Sequence, residues 1–121
     1  MNIEVSIGEI VDKYTILTIK KIKMSNDNVI KEWDYIRNVL ELNLSQVLDD
    51  VLTLDLYKVN ENLWDVEDRI RDCERNGEFN GEFIELARSV YKLNDHRASI
   101  KKEINIKYGS NFIEEKSYQK Y

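Results

Sequence analysis

An apolar helical stripe, Phe83, Leu86, Val90, Leu93, Ile100, Ile104 and Tyr108, is interrupted at its middle by Asn94-Asp95-His96-Arg97. Polar groups at half-buried positions must find partners or cost about 1 to 3 kcal/mol each. Arg97 and Lys101 stand one helical turn apart and can present two cations to an anionic ligand. If the preceding helical stretch returns antiparallel, position 94 falls near 63 and 97 near 60. That register brings Asn60, Trp64 and Glu67 beside Asn94, Arg97 and Tyr91. Glu67 and Asp95 are then the acids placed for proton exchange. Asp12 and Lys13 reach the same layer if the first helix covers the pair, with Lys13 an anion contact or, desolvated, a base. Two readings stand side by side. One is a hydrogen-bonded layer that sets register or assembly; the other is a ligand pocket between helices.

Other candidates carry plainer explanations. Glu82 and Glu85 share a helical face with Asp72 roughly opposite, and Asp65 and Asp68 repeat the spacing. Oxygen-rich sets of this kind hold Mg²⁺, but Arg69, Arg75 and Arg88 offer ion-pair partners that account for them as solvated faces. We assign no metal and no cofactor. His96 is the one histidine, so a histidine-based metal site or a Ser-His triad cannot be assembled. Cys73 falls on an apolar seam and reads as a small core residue. Lys13 pairs equally well with Glu9 at i,i+4. Lys20, Lys21 and Lys23 close a helix whose C-terminal dipole favours cations.

The elements that must position these groups are all helical. Proline is absent and glycine occurs four times, at Gly8, Gly77, Gly81 and Gly109. Ser6-x-x-Glu9 is a capping box that opens a first helix, with Ile7, Ile10, Val11, Tyr14, Leu17 and Ile22 on its apolar face. A second helix is predicted from about Asn28 to Leu42, ending where Asn43 can adopt a left-handed cap. Leu52, Leu56, Val59, Leu63, Val66, Ile70 and Cys73 alternate spacings of four and three, the seam of helices packed at a shallow angle. Gly77 ends that helix, and Asn80-Gly81 opens the last, which Gly109 closes. The two long helices, each on the order of 25 residues and about 40 Å, form an antiparallel hairpin. The expected architecture is a helical bundle built on this hairpin and preceded by two shorter helices, one domain over 1–121. Phe112, Ile113, Tyr118 and Tyr121 predict that the tail 110–121 packs back on the bundle. The hairpin has more apolar face than the first helices cover, which predicts a homodimer.

Composition narrows the function. The 121 residues suit one domain, and the charged fraction of 34% with 42% hydrophobic residues is that of a globular chain. A net charge of −5 argues against a nucleic-acid partner. No apolar run approaches the roughly 18 residues of a membrane span, and Met1–Lys13, with three acids before its first base, does not read as a signal peptide. A lone cysteine forms no internal disulfide, so the expected compartment is the cytoplasm, that of the host if the chain is phage-encoded.

Five stretches carry a resemblance: Val5–Lys13 (VSIGEIVDK), Leu63–Arg71 (LWDVEDRIR), Phe83–Tyr91 (FIELARSVY), Asn94–Ala98 (NDHRA) and Glu114–Tyr118 (EEKSY). Together they resemble an uncharacterised family of small all-helical bacterial and phage proteins, a domain of unknown function. The resemblance runs nearly end to end, weakest over Ser25–Thr53, and implies an ordered tail but no activity. By fold and charge the chain is also similar to all-helical chorismate mutases, where Asn94, Asp95, Arg97 and Lys101 would meet a dianion. Its acid spacings are similar to those of all-α nucleotide pyrophosphohydrolases. The sequence thus leads to a binding or assembly module, probed against the alternative of an enzyme or sensor for an anionic metabolite.

Overall fold

The computed structural model describes residues 1–120, and these are helical apart from the termini and short connections. Helix α1 spans Ile7–Lys23, α2 Asp27–Leu44, a 3-10 turn Ser45–Asp49, α3 Val51–Asn76 and α4 Gly81–Lys107. Side chains cap every α-helix: Ser6, Asn26, Asp50 and Asn80 each accept a backbone N–H of the first turn. Glu9, expected to return to Ser6, instead reaches Lys101 Nζ at 2.7 Å. Asn43 stays helical, its Nδ2 donating to the Val39 carbonyl at 2.8 Å, and the break comes at Ser45. Gly77 adopts φ +65°, where a side chain would be strained. Its N–H and that of Glu78 return to the Glu74 and Cys73 carbonyls, so the chain reverses where the glycine predicted.

The core draws on every helix. Val11 and Leu17 of α1, Ile36 and Leu40 of α2, Val47 of the 3-10 turn, Leu56, Val59 and Leu63 of α3, and Ile100 and Ile104 of α4 form one buried cluster. The heptad seam is thus the inner face of α3, α1 closes over the half of the hairpin remote from Gly77, and α2 packs on α1 and the 3-10 turn. That cluster stops at Leu63, with Leu93 at its edge. From there to the turn α3 and α4 run on as a two-helix projection of roughly 18 Å. Only Cys73 and Leu86 are buried within it, while Val66, Ile70, Phe83 and Val90 are half-buried.

The tail lies against α4, with its described apolar side chains largely exposed. Phe112, Ile113 and Tyr118 are 55%, 40% and 76% exposed, and Tyr121 lies outside the described residues. Polar contacts hold the segment instead. The Ile7 N–H donates to Ser110 Oγ at 3.1 Å and Asn111 Nδ2 to Glu4 at 2.6 Å, while Lys102 Nζ meets Glu115 at 3.1 Å. Along the tail α4 presents Asp95, Ala98, Ser99 and Lys102, with Val90 and Tyr91 reached only near Tyr118. No helix among the described residues is long and apolar enough to cross a membrane.

Candidate functional site

Asp12 is the centre of the polar layer. It faces inward from α1 between Val11 and Thr15, with its side chain 2% exposed. Arg97 of α4 grips the carboxylate with both arms of its fork, Nε to Oδ1 at 2.9 Å and Nη2 to Oδ2, a bidentate geometry that Lys cannot make. Asn60 of α3 donates Nδ2 to Asp12 Oδ1 and to Thr15 Oγ1, each at 2.9 Å. Thr15 Oγ1 donates in turn to the Asp12 carbonyl at 2.8 Å. Three helices therefore meet at one carboxylate. The hydrogen bond to Asp12, outweighing burial, raises the Arg97 pKa above its ordinary value.

Lys101, one turn along α4, is only 13% exposed and sits among three acids: Glu9 at 2.7 Å, Glu114 at 3.7 Å and Asp12 at 3.9 Å. Both cations proposed as anion contacts are thus engaged, in a cluster with more carboxylates than bases. No buried side-chain nitrogen or oxygen among the described residues lacks a partner.

Gly8 explains how α1 comes so close to α4. A Cβ there would lie 2.6 Å from the Lys101 carbonyl oxygen. Its N–H donates to Asn105 Oδ1 at 2.6 Å, and Asn105 is 2% exposed. Beyond this contact, at the far edge of the fold, Asp50 receives Lys107 Nζ at 2.6 Å and the Tyr108 hydroxyl, besides capping α3 through Leu52. The Lys107 hydrogen bond, then that of Tyr108, lowers the Asp50 pKa from 3.8 to about 2. Burial, then the hydrogen bond to Asp50, pushes Tyr108 up to about 12.

The structure brings Asp12, Asn60, Arg97 and Lys101 together, as the register through Gly77 suggested. It does not bring in the others. Glu67 is exposed on the projection, and Arg97 has Asp12 as its acid instead. Lys13 points outward to Glu32 at 3.1 Å. Trp64 is half-buried beyond the layer. Asn94 and Asp95 line a separate cleft of about 400 Å³ with Val90, Tyr91, Lys116 and Tyr118. Thr15, Asn105 and Ser110 were missed, although a glycine inside a capped amphipathic helix is a signal for close backbone approach. Of the acid sets, Glu82 pairs with Arg69, Glu85 with Arg88 and Asp72 with Arg75. Among the described residues no three His, Cys, Asp or Glu side chains converge as a metal site would require.

A family model described as a family of unknown function (DUF6165) matches residues 1–121. The chain belongs to this family. Of the words quoted above, the Val5–Lys13 stretch supplies Gly8, Glu9 and Asp12 and the Asn94–Ala98 stretch supplies Arg97, so in this DUF6165 chain two of them meet at one ion pair. No curated protein and no solved structure matches the chain.

Proposed function

We propose that the protein is a binding or assembly module that works as a homodimer, with the Asp12 layer as the lock that sets the helices in register. The observation that carries this reading is the pairing of Arg97 and Lys101. A pocket for an anionic metabolite needs cationic donors turned toward space, and here both are turned onto carboxylates. Apolar surface left on the α3–α4 projection supports a role through surface contact.

Two measurements test it. Light scattering coupled to gel filtration should give about twice 14.4 kDa; a monomer at micromolar concentration removes the dimer. A library of mono- and dicarboxylates, phosphates and nucleotides should leave the melting temperature unchanged. Stabilisation by any of them that Arg97→Met abolishes would instead establish the anion site.

A further inference from the structure

The groove that α1 fills does not end where α1 ends. On α3 the stripe that meets α1 at Asn60 continues at helical spacing through Trp64, Glu67, Arg71 and Glu74. On α4 the stripe that meets α1 at Arg97 continues through Asn94, Val90, Ala87 and Phe83. Between them lies the half-buried seam of Val66 and Ile70. None of these belongs to the core cluster. This groove, roughly 18 Å long, holds no helix of its own chain, and only Lys116 and Tyr118 of the tail flank its α4 wall near Val90 and Asn94.

Its charges indicate what fits. Six charged groups on the projection are paired within it: Arg69 with Glu82, Arg75 with Asp72, Arg88 with Glu85. Among the described residues Glu67, Arg71 and Glu74 make no ion pair, nor do Asp68, Glu78 and Lys92, but only the first three stand in one row, with the cation between the acids. Such a row is self-complementary. An antiparallel second copy whose two-fold axis passes between Glu67 and Arg71 sets its own Glu67 opposite Arg71, and the axis repeats the pair. We propose that the projection from Trp64 to Leu93 is the face on which two copies of this chain meet, antiparallel, so that four helices close a second core over Val66, Ile70, Phe83 and Val90. This rests on the dimeric reading above and adds where the interface lies and what sets its register.

Charge exchange tests it without touching the fold, because the three residues are exposed. One chain carries Arg71→Glu, and a second carries Glu67→Arg with Glu74→Arg. Each alone should keep the parent helicity and melting behaviour by circular dichroism of the dilute monomer, yet dissociate at least tenfold more readily in sedimentation equilibrium. Mixed in equal amounts, the two should form a heterodimer as tight as the parent. A parent dimer that neither change weakens overturns the placement and leaves the dimer standing. Weakening by each with no recovery on mixing overturns the antiparallel register. A parent chain that is monomeric overturns both this and the dimeric reading, and assigns the groove to a helix of another sequence.

Discussion

Asp12 lies where water scarcely reaches and is gripped by Arg97, so removing that one partner is costly. Arg97→Met should destabilise the fold by about 3 to 5 kcal/mol, the usual cost of breaking a buried pair from one side. Adding Asp12→Asn should recover much of that loss, since no charge is then left alone. Glu67→Gln, which touches nothing in the layer, should stay within about 0.5 kcal/mol of the parent in dilute urea titrations. Equal losses for Arg97→Met and the double variant would mean that packing, not charge, sets the cost. Asp50 gives a second measurement. Its folded pKa lies below its unfolded value, so the unfolded chain binds the proton more readily at acid pH. The stability it contributes is present above about pH 3.8 and is lost as pH falls toward 2. Asn caps a helix as well as Asp, so Asp50→Asn should be less stable than the parent at pH 6 and should lose less stability on going from pH 4 to 2. Parallel pH profiles would show that Lys107 and Tyr108 contribute nothing through this carboxylate.

For the helices, the decisive contact is α1 against α4. Alanine favours a helix over glycine by about 1 kcal/mol, yet Gly8→Ala should destabilise by about 1 to 3 kcal/mol, because the atom in its way is backbone. A stabilised Gly8→Ala protein would mean that α1 can lift away freely. The tail calls for the opposite forecast. With Phe112 and Tyr118 largely in solvent, deletion of residues 111–121 should change stability by less than about 1 kcal/mol, and the small effect should shrink in high salt. The same comparison shows what was legible in the sequence. Alternating spacings from Leu52 to Cys73, with Gly77 and Asn80 after them, are local signals, and they suffice for the hairpin and its register. The choice of Asp12 over Glu67 as the partner of Arg97 is not local. Both are acids one residue from an apolar seam position. Only the approach permitted by Gly8 buries one of them, and that depends on how α1 crosses the hairpin. The tail is a related case: Phe112, Ile113 and Tyr118 state a tendency to bury, but the α4 surface along the tail mixes Asp95, Ser99 and Lys102 with Ala98 and Val90 and leaves them largely exposed.

For the molecule as a whole, the division between a cored end and a bare end should appear in its dynamics. Amides of Leu56–Leu63 and Arg97–Asn105 lie within the cluster and should exchange at the rate of global unfolding. Amides of Val66–Arg75 and Phe83–Val90 have only each other and should exchange faster in dilute protein, then slow as concentration rises. Uniform protection along both helices at every concentration would show that the projection is rigid on its own. The same division separates the two tryptophans. Trp33 lies inside the cored end, its Nε1 donating to Thr18 at 3.0 Å and its ring covered by Lys21 at 3.6 Å. Trp64 stands at the mouth of the open groove, half in water. One indole therefore reports on whether the chain is folded and the other on whether the groove is filled. In a Trp33→Phe protein the remaining emission should move to shorter wavelength as water leaves the groove, which makes the chain its own optical gauge of occupancy.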